Sequence, residues 1–327
     1  MRILYGIQGT GNGHLSRAQT NLPILNEIAS KVDILISADK HNLQLKQKIN
    51  FQKKGLSFEI QNGKIDYWKT IKGLNLLAFK KEIEEINFNQ YDVIISDFEP
   101  LTAWGAKWNN IPSIQISHQA SFLSKKSPRP KNISLIAEGL LKYFSPCNDF
   151  IGLHYKSYDE NILEPIINEK IKDKKCALKE HFSVYLPWEN QKEIVSHLQS
   201  LDTYKFELFS PVIKIKEISK NVSIHPVSMK FTESLLSSQG VISNCGFETT
   251  SEALYLGKKL VTLPLNGQYE QECNAAALRG FGIPCLSKKS FYDKEALDVS
   301  LNKTGKKLVF NDDYKQQLRN KIMTITR

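Results

Sequence analysis

The chain lacks any long apolar run. A membrane-spanning helix needs about 20 consecutive apolar residues, and no stretch of the 327 residues approaches that. The apolar run after Met1 is cut short by glycines, so it reads as a buried first strand and not as a signal-peptide core. Cysteine is sparse. The five residues Cys147, Cys176, Cys245, Cys273 and Cys285 are odd in number and scattered, with no Cys-x-x-Cys pair. That pattern excludes a disulfide framework and a zinc ribbon and points to a reducing cytoplasm. There is no low-complexity tract, no RNA-binding signature and no aromatic–basic interleaving, so nucleic acid is not an expected partner. No DxD-like acidic pair stands in a site-like setting. Neither a catalytic metal nor a bound cofactor is therefore expected.

What is present suits a globular protein of two domains. The length exceeds most single cores, and 41% of the residues are apolar. The formal net charge of +10 is carried almost entirely by lysine. It fits a phosphorylated substrate, an anionic membrane surface, or a lysine-rich surface with no specific partner.

The most informative stretch runs from Gln239 to Gly282. It reads as strand, tight turn, helix, strand, loop, helix. Gly240 to Ser243 is the first strand, Asn244-Cys245-Gly246 the turn, and Glu248 to Leu256 the helix, with Gly257 as its C-cap. Leu260 to Leu263 is a buried strand stopped by Pro264, and Gln271 to Leu278 starts a second helix. A strand that feeds a glycine turn into a helix leaves free backbone N–H groups at the positive end of the helix dipole, which suits a phosphate. Gly246 lets the backbone come close, and Ser243, Asn244 and Thr249 add hydrogen-bonding side chains. Glu252 lies three residues beyond Thr249 on the same face, placed to accept from two vicinal sugar hydroxyls. Thr249-x-x-Glu252 also fits a helix capping box, which would tie both residues to the backbone.

The N-terminal half opens with strand Arg2 to Ile7 and a glycine turn, Gly9-Thr10-Gly11-Asn12-Gly13-His14. A helix from Leu15 to Ser30 and a strand from Val32 to Ser37 follow. Strand alternating with helix implies a doubly wound sheet. A dinucleotide fold also opens this way. However, the spacing here is GxGxG, one residue short of its fingerprint, and Asp39 comes later than the acid that would hold a ribose. Histidine is the side chain suited to general base work at neutral pH, and His14 stands where a ligand would bind. A surface histidine is the plainer reading. Arg17 lies one turn on, facing the same cleft or solvent. Asp97 ends the strand Tyr91–Asp97, at the edge where open parallel sheets bind ligands, or else caps the helix Phe98–Trp108. His118 ends the strand Ile111–His118 and is a candidate for the acceptor pocket.

These motifs resemble the nucleotide-sugar glycosyltransferases with the two-domain GT-B fold, namely the UDP-glycosyltransferases and, more distantly, MurG. The residues that carry the resemblance are the Cys-Gly turn, Thr249, Glu252, Gly257, Pro264, Glu270-Gln271 and Asn274-Ala275. The N-terminal turn GxGH-x-x-R is similar to that of a bacterial and archaeal branch of the same superfamily. The resemblance implies an α/β fold of two Rossmann-like domains with parallel sheets facing a cleft. It implies a diphosphate at Asn244, Gly246 and Thr249, with Gly11, Gly13, Ser243 and Phe247 on the donor side. Glu252 would hold the ribose, and Glu270 and Gln271 the donor sugar. His14 would be the base and Asp97 its partner. Asn244 departs from the His of the plant enzymes, and Phe247-Glu248 from a Trp-Asn pair. The expected reaction moves a hexosyl or N-acetylhexosaminyl group, by family habit from a UDP-sugar, to an acceptor hydroxyl with inversion. The acceptor is a glycan, a lipid or a small molecule. The alternatives are an epimerase or hydrolase on the same fold, or a non-catalytic nucleotide-sugar-binding protein.

The expected division is an acceptor-side domain over 1–155, a crossing over 156–180 with no sustained strand pattern, and a donor-binding domain over 181–327 whose last helix packs back on the first. Val227 to Phe231 border the expected place of the base. Segment 121–150 joins a basic, proline-broken loop to an apolar helix over Asn132–Phe144. It reads as a core helix or as a dock for an anionic membrane at the inner face of a cytoplasmic protein's membrane.

Overall fold

The computed structural model describes residues 1–326 except 10–11, 38–44, 46, 57–59, 62–63, 66–72, 74, 173, 175–176 and 228–229. Gly11 and Asp39 lie outside the described residues, as do parts of the segments Phe58–Ile60 and Val227–Phe231.

The first half contains β1 (Arg2–Gln8), α1 (Asn12–Ile28), β2 (Lys31–Ser37) and β3 (Phe51–Lys53), then a small hairpin of β4 (Ile60–Gln61) and β5 (Lys64–Ile65). After these come α2 (Leu76–Glu84), β6 (Val93–Asp97), α3 (Pro100–Trp108), β7 (Ser113–Ser117), α4 (Leu135–Tyr143), β8 (Asp149–Leu153) and β9 (Ile162–Leu163). The seven-stranded sheet has the order β3-β2-β1-β6-β7-β8-β9 with every pairing parallel. The second half contains β10 (His181–Tyr185), α5 (Gln191–Gln199), β11 (Lys205–Ser210), β12 (Glu217–Ser219), β13 (Val222–Pro226), α6 (Lys230–Ser237), β14 (Gly240–Ser243), α7 (Phe247–Tyr255) and β15 (Lys259–Thr262). Helices α8 (Tyr269–Gly280), α9 (Lys288–Phe291), α10 (Lys294–Leu301) and α11 (Tyr314–Ile325) complete it. Its sheet has the order β12-β13-β11-β10-β14-β15, parallel except for the β12 edge.

Both orders reverse in the middle, between β1 and β6 in the first sheet and between β10 and β14 in the second. Ligands bind outside the carboxyl ends of the strands at such a reversal. The central strands are buried on both faces. Ile3, Leu4, Tyr5, Ile7, Val93, Ile94 and Ile95 are all fully covered, which is why they read as unbroken apolar runs. Gly6 lets α3 close on β1, because a Cβ there would fall 2.0 Å from Thr102 Oγ1. Gly257, at φ +68°, ends α7 in the left-handed conformation that favours glycine.

The expected helix Phe98–Trp108 starts later, at Pro100. Phe98 instead takes φ +53°, a turn that costs a bulky residue about 1–2 kcal/mol. It is held by packing on Phe144, with ring centroids 4.9 Å apart. Glu99 caps α3, accepting from the amides of Leu101 at 2.9 Å and Thr102 at 2.7 Å. Within 156–180 the two-residue β9 extends the first sheet beyond 155. At the other end, Tyr314 of α11 donates to Asn21 Oδ1 at 2.6 Å, and Lys315 and Arg319 pair with Glu27.

Candidate active site

The base candidate and its partner meet at the reversal in the first sheet. His14 lies in the first turn of α1, just past the end of β1, and Asp97 is the last residue of β6. His14 Nδ1 is 2.7 Å from Asp97 Oδ1. Asp97 is fully buried. Burial alone would raise its pKa, but Arg17 and then His14 outweigh it and hold the carboxyl below its ordinary range. A carboxylate only accepts, so Nδ1 carries the proton and the lone pair sits on Nε2. Asp97 therefore does not cap a helix.

Arg17 completes the cluster. Its Nε and Nη2 donate to the two Asp97 oxygens, each at 2.8 Å. Nη2 also approaches His14 Nδ1 at 3.0 Å, where it meets a second donor. Its Nη1 donates across the cleft to Glu248 Oε1 at 2.6 Å. Burial opposes the charge on Arg17, but Asp97 and Glu248 more than restore it, so the guanidinium is firmly cationic. Arg17 is buried within this cluster and does not face solvent.

The second half brings its own turn to the same place. Gly246 is the N-cap of α7 and offers no side chain to the first amides. Space beside it is open, with no atom within 4 Å of a Cβ built there. The capping box does not form, because Thr249 lies inside the helix. Gly13 is close to the same helix, its virtual Cβ 3.1 Å from Glu248 Cγ. Ser243 Oγ donates to the Asn244 carbonyl at 2.9 Å. Asn244 Nδ2 donates to the Leu263 carbonyl at 2.8 Å, and its buried Oδ1 finds no partner among the described residues. Glu252 faces α1 across a small void lined by Arg17, Thr20, Asn168 and Glu248. Burial, then the Glu248 charge, pushes its carboxyl up to about 8. Burial also raises Glu248, with Arg17 opposing, although a third of that side chain stays open to the cleft.

At the start of α8, Glu270 accepts from Gln119 Nε2 at 2.9 Å, and Gln271 Oε1 accepts from the Leu265 amide at 3.1 Å. His118 does not line an open acceptor pocket. It is 2% exposed, its Nδ1 lies 2.7 Å from the Leu153 carbonyl, and its Nε2 lies 2.7 Å from Asn274 Oδ1. Its ring stacks on Phe247 with centroids 3.9 Å apart, and burial lowers its pKa; both ring nitrogens face oxygens, and the neutral ring donates to one of them only. Tyr155 adds a further link, its hydroxyl 2.7 Å from Thr250 Oγ1. Nothing local marks Tyr155, Asn274 or Gln119 as cross-domain partners. Glu248 was the legible one, an acid in the first turn of the helix after the glycine turn.

Two Rossmann-like domains with their switch points facing a common cleft are the GT-B architecture. More particularly, the family model described as glycosyl transferase family 1 matches residues 1–303, so the chain belongs to that family and is a glycosyltransferase. An uncharacterized glycosyltransferase of Methanosarcina mazei is 26% identical over 326 residues, covering 86% of this chain and 85% of that protein. The structure of Medicago truncatula UGT71G1 complexed with UDP-glucose matches with TM-score 0.63 at 14% identity, over 100% of this chain and 98% of that one. Acinetobacter baumannii MurG matches with TM-score 0.58 at 13% identity, over 99% of both chains. Among the described residues no helix is long and apolar enough to cross a membrane.

Proposed function

We propose that the chain transfers a hexosyl or N-acetylhexosaminyl group from a UDP-sugar to an acceptor hydroxyl, with inversion and without a metal or bound cofactor. The observation that carries this is the Arg17-held Asp97–His14 pair facing the uncapped start of α7 across the cleft. The acceptor O–H gives its proton to His14 Nε2 as its oxygen bonds to the anomeric carbon. The bond from that carbon to the diphosphate breaks, and its electron pair leaves with the diphosphate. A single displacement inverts the centre. Asp97 steadies the imidazolium, as an acid does in a hydrolase triad. The α7 amides at Gly246 and Thr249, together with Arg17, meet the leaving charge in place of a metal. Glu252 holds the ribose, and Glu270 and Gln271 the sugar. Asn244 joins the phosphate site once its amide leaves Leu263. The UDP-glucose bound in the Medicago truncatula UGT71G1 structure supports the donor class.

The test is thermal stability against UDP, GDP, CMP, TDP and NAD, followed by turnover with UDP-sugars. A ligand at about 100 times its Kd adds roughly 2.7 kcal/mol. Stabilisation by one nucleoside diphosphate, lost in Glu252→Ala, is expected. Stabilisation by NAD alone would overturn the reading. Sugar release or epimerisation without any acceptor would favour the hydrolase or epimerase, and binding with no turnover a binding protein.

One further observation favours a lipid surface near the acceptor side. Ile133, Leu135 and Tyr143 are 57%, 83% and 57% exposed, and Lys131 and Lys142 lie exposed beside them. We propose that this face meets anionic lipid, each lysine adding about 1 kcal/mol. Co-sedimentation with phosphatidylglycerol vesicles but not phosphatidylcholine vesicles, lost in Leu135→Ser, is the expected result.

A further inference from the structure

We infer that Gln119 is a sugar-reading residue contributed by the first domain, which sets donor specificity together with Glu270; this rests on the donor-site reading above. Gln119 opens the short 3-10 turn Gln119–Leu123, just beyond the carboxyl end of β7. β7 is the neighbour of β6, whose last residue is Asp97. Gln119 therefore comes from the same sheet edge as the base. It reaches across the cleft, and its Nε2 donates to Glu270 Oε2 at 2.9 Å.

The other end of that amide is the telling part. Gln119 is 8% exposed, and its Oε1 is buried with no hydrogen-bond partner among the described residues. A buried carbonyl left unpaired is costly, and in a native structure it calls for an explanation. Glu270, which the other end of the amide bonds, keeps 23% of its side chain open, so a ligand that reaches Glu270 comes up beside the amide. His118 Nε2 is 3.9 Å from Glu270 Oε1 and already engaged with Asn274.

A sugar fits this chemistry. A hydroxyl donates one hydrogen bond and accepts others, so one hydroxyl can donate to Gln119 Oε1 while its neighbour on the ring donates to the Glu270 carboxylate. Each acceptor comes from a different domain. The pair is satisfied together only when the two hydroxyls have the right relative configuration. An epimer would leave one buried acceptor unpaired, and a site built to bond a hydroxyl discriminates strongly against a substrate that cannot supply it. A neutral amide also adds no charge beside the leaving diphosphate, unlike a second carboxylate.

The experiment compares wild type, Gln119→Ala and Gln119→Asn by thermal shift with UDP, UDP-glucose, UDP-galactose and UDP-N-acetylglucosamine, and by kcat/KM for each sugar. Unchanged melting of the ligand-free variants establishes that they fold, and Gln119→Asn keeps the amide while withdrawing it. The expected result is that UDP alone stabilises all three proteins equally. The preferred sugar should lose tenfold or more in kcat/KM in both variants, and the ratio between glucose- and galactose-configured donors should fall toward one. Equal losses for every sugar, or an unchanged ratio, would overturn the role of Gln119 while leaving the donor site standing. If no nucleotide or nucleotide sugar stabilises wild type, the donor-site reading falls and takes this inference with it.

Discussion

Replacing Glu252 by Gln should stabilise the ligand-free protein, and more so as the pH rises. Glu252 faces a void against α1 with Glu248 beside it, and burial followed by that neighbour raises its carboxyl from 4.5 to about 8. The unfolded chain gives up the proton at the ordinary value. Between the two values the folded state holds a proton that the unfolded state has lost, so raising the pH draws on native stability. The contribution is fully present below pH 4.5 and gone once the pH passes about 8. At about 1.4 kcal/mol per pH unit the loss is bounded near 5 kcal/mol. Glu252 is half-buried and not sealed, so nearby water relaxes the field and ~1–3 kcal/mol is the expected size. Gln cannot ionise and escapes the loss. Urea unfolding of both proteins at about pH 5, 7 and 9 should therefore show curves that coincide at the acid end and separate with pH. In melting temperature the alkaline gap is ~2–6 °C for a chain of this size. A gap of the same size at every pH would show that packing, not the proton, distinguishes the two side chains. The same variant should bind the nucleotide less tightly only above about pH 8, where Glu252 is a carboxylate and the stronger acceptor for two ribose hydroxyls.

His14→Ala should lower kcat by about 10²–10⁴ while the nucleotide still raises the melting temperature; loss of both effects together would mean that His14 binds donor and is not the base. Asp97→Asn should cost turnover and also about 3–5 kcal/mol of stability, because the buried Arg17 loses its partner. Urea midpoints measured beside kcat check this. His118→Ala should cost about 2–4 kcal/mol, since it removes the one ring N–H that serves the Leu153 carbonyl or Asn274 Oδ1 and also the Phe247 stack. A variant as stable as wild type would refute its role as a buried tie between domains. Gly6→Ala should destabilise by about 1–3 kcal/mol through its clash with Thr102, a prediction that urea unfolding tests directly.

The parallel sheets were legible because their central strands are buried on both faces and so appear as unbroken apolar runs. The strand, turn and helix around Gly246 are legible because glycine, proline and the helical period punctuate them at short range. Two-residue β9 carries no period to read, and it was missed. The start of α3 was misplaced because nothing local shows that Phe98 is forced to φ +53° by packing on Phe144. His118 was misjudged for a related reason. The end of a strand at the carboxyl edge does predict nearness to the cleft, but it does not say whether the partner domain covers it. Here Phe247 and Asn274 do. Contacts between residues more than 100 positions apart, such as Gln119–Glu270 and Arg17–Glu248, depend on how the two sheets meet, and no periodicity in one chain encodes that.

Charge at this meeting point also constrains how a donor enters. Glu248 stands in the first turn of α7, where a carboxylate is favoured by the dipole, and Arg17 is its partner at 2.6 Å. A diphosphate bound as proposed would bring its own negative charge to the same helix end and the same guanidinium. The two anions cannot share that place at ordinary cost, so Glu248 must turn away or take up a proton. Burial and the nearby Asp97 already raise its carboxyl, with Arg17 holding it down, and Arg17's attention to a phosphate would remove that restraint. Proton uptake is therefore the expected course. For an acid with a raised pKa the neutral form is lost as the pH climbs, so donor affinity should fall on the alkaline side. Titration calorimetry of UDP binding in buffers of different ionisation enthalpy reads the proton count directly. A positive uptake that vanishes in Glu248→Gln is expected, together with a flatter pH dependence of affinity in that variant. Binding without proton uptake in wild type would mean that Glu248 swings clear as an anion, and Glu248→Gln would then leave the pH dependence untouched.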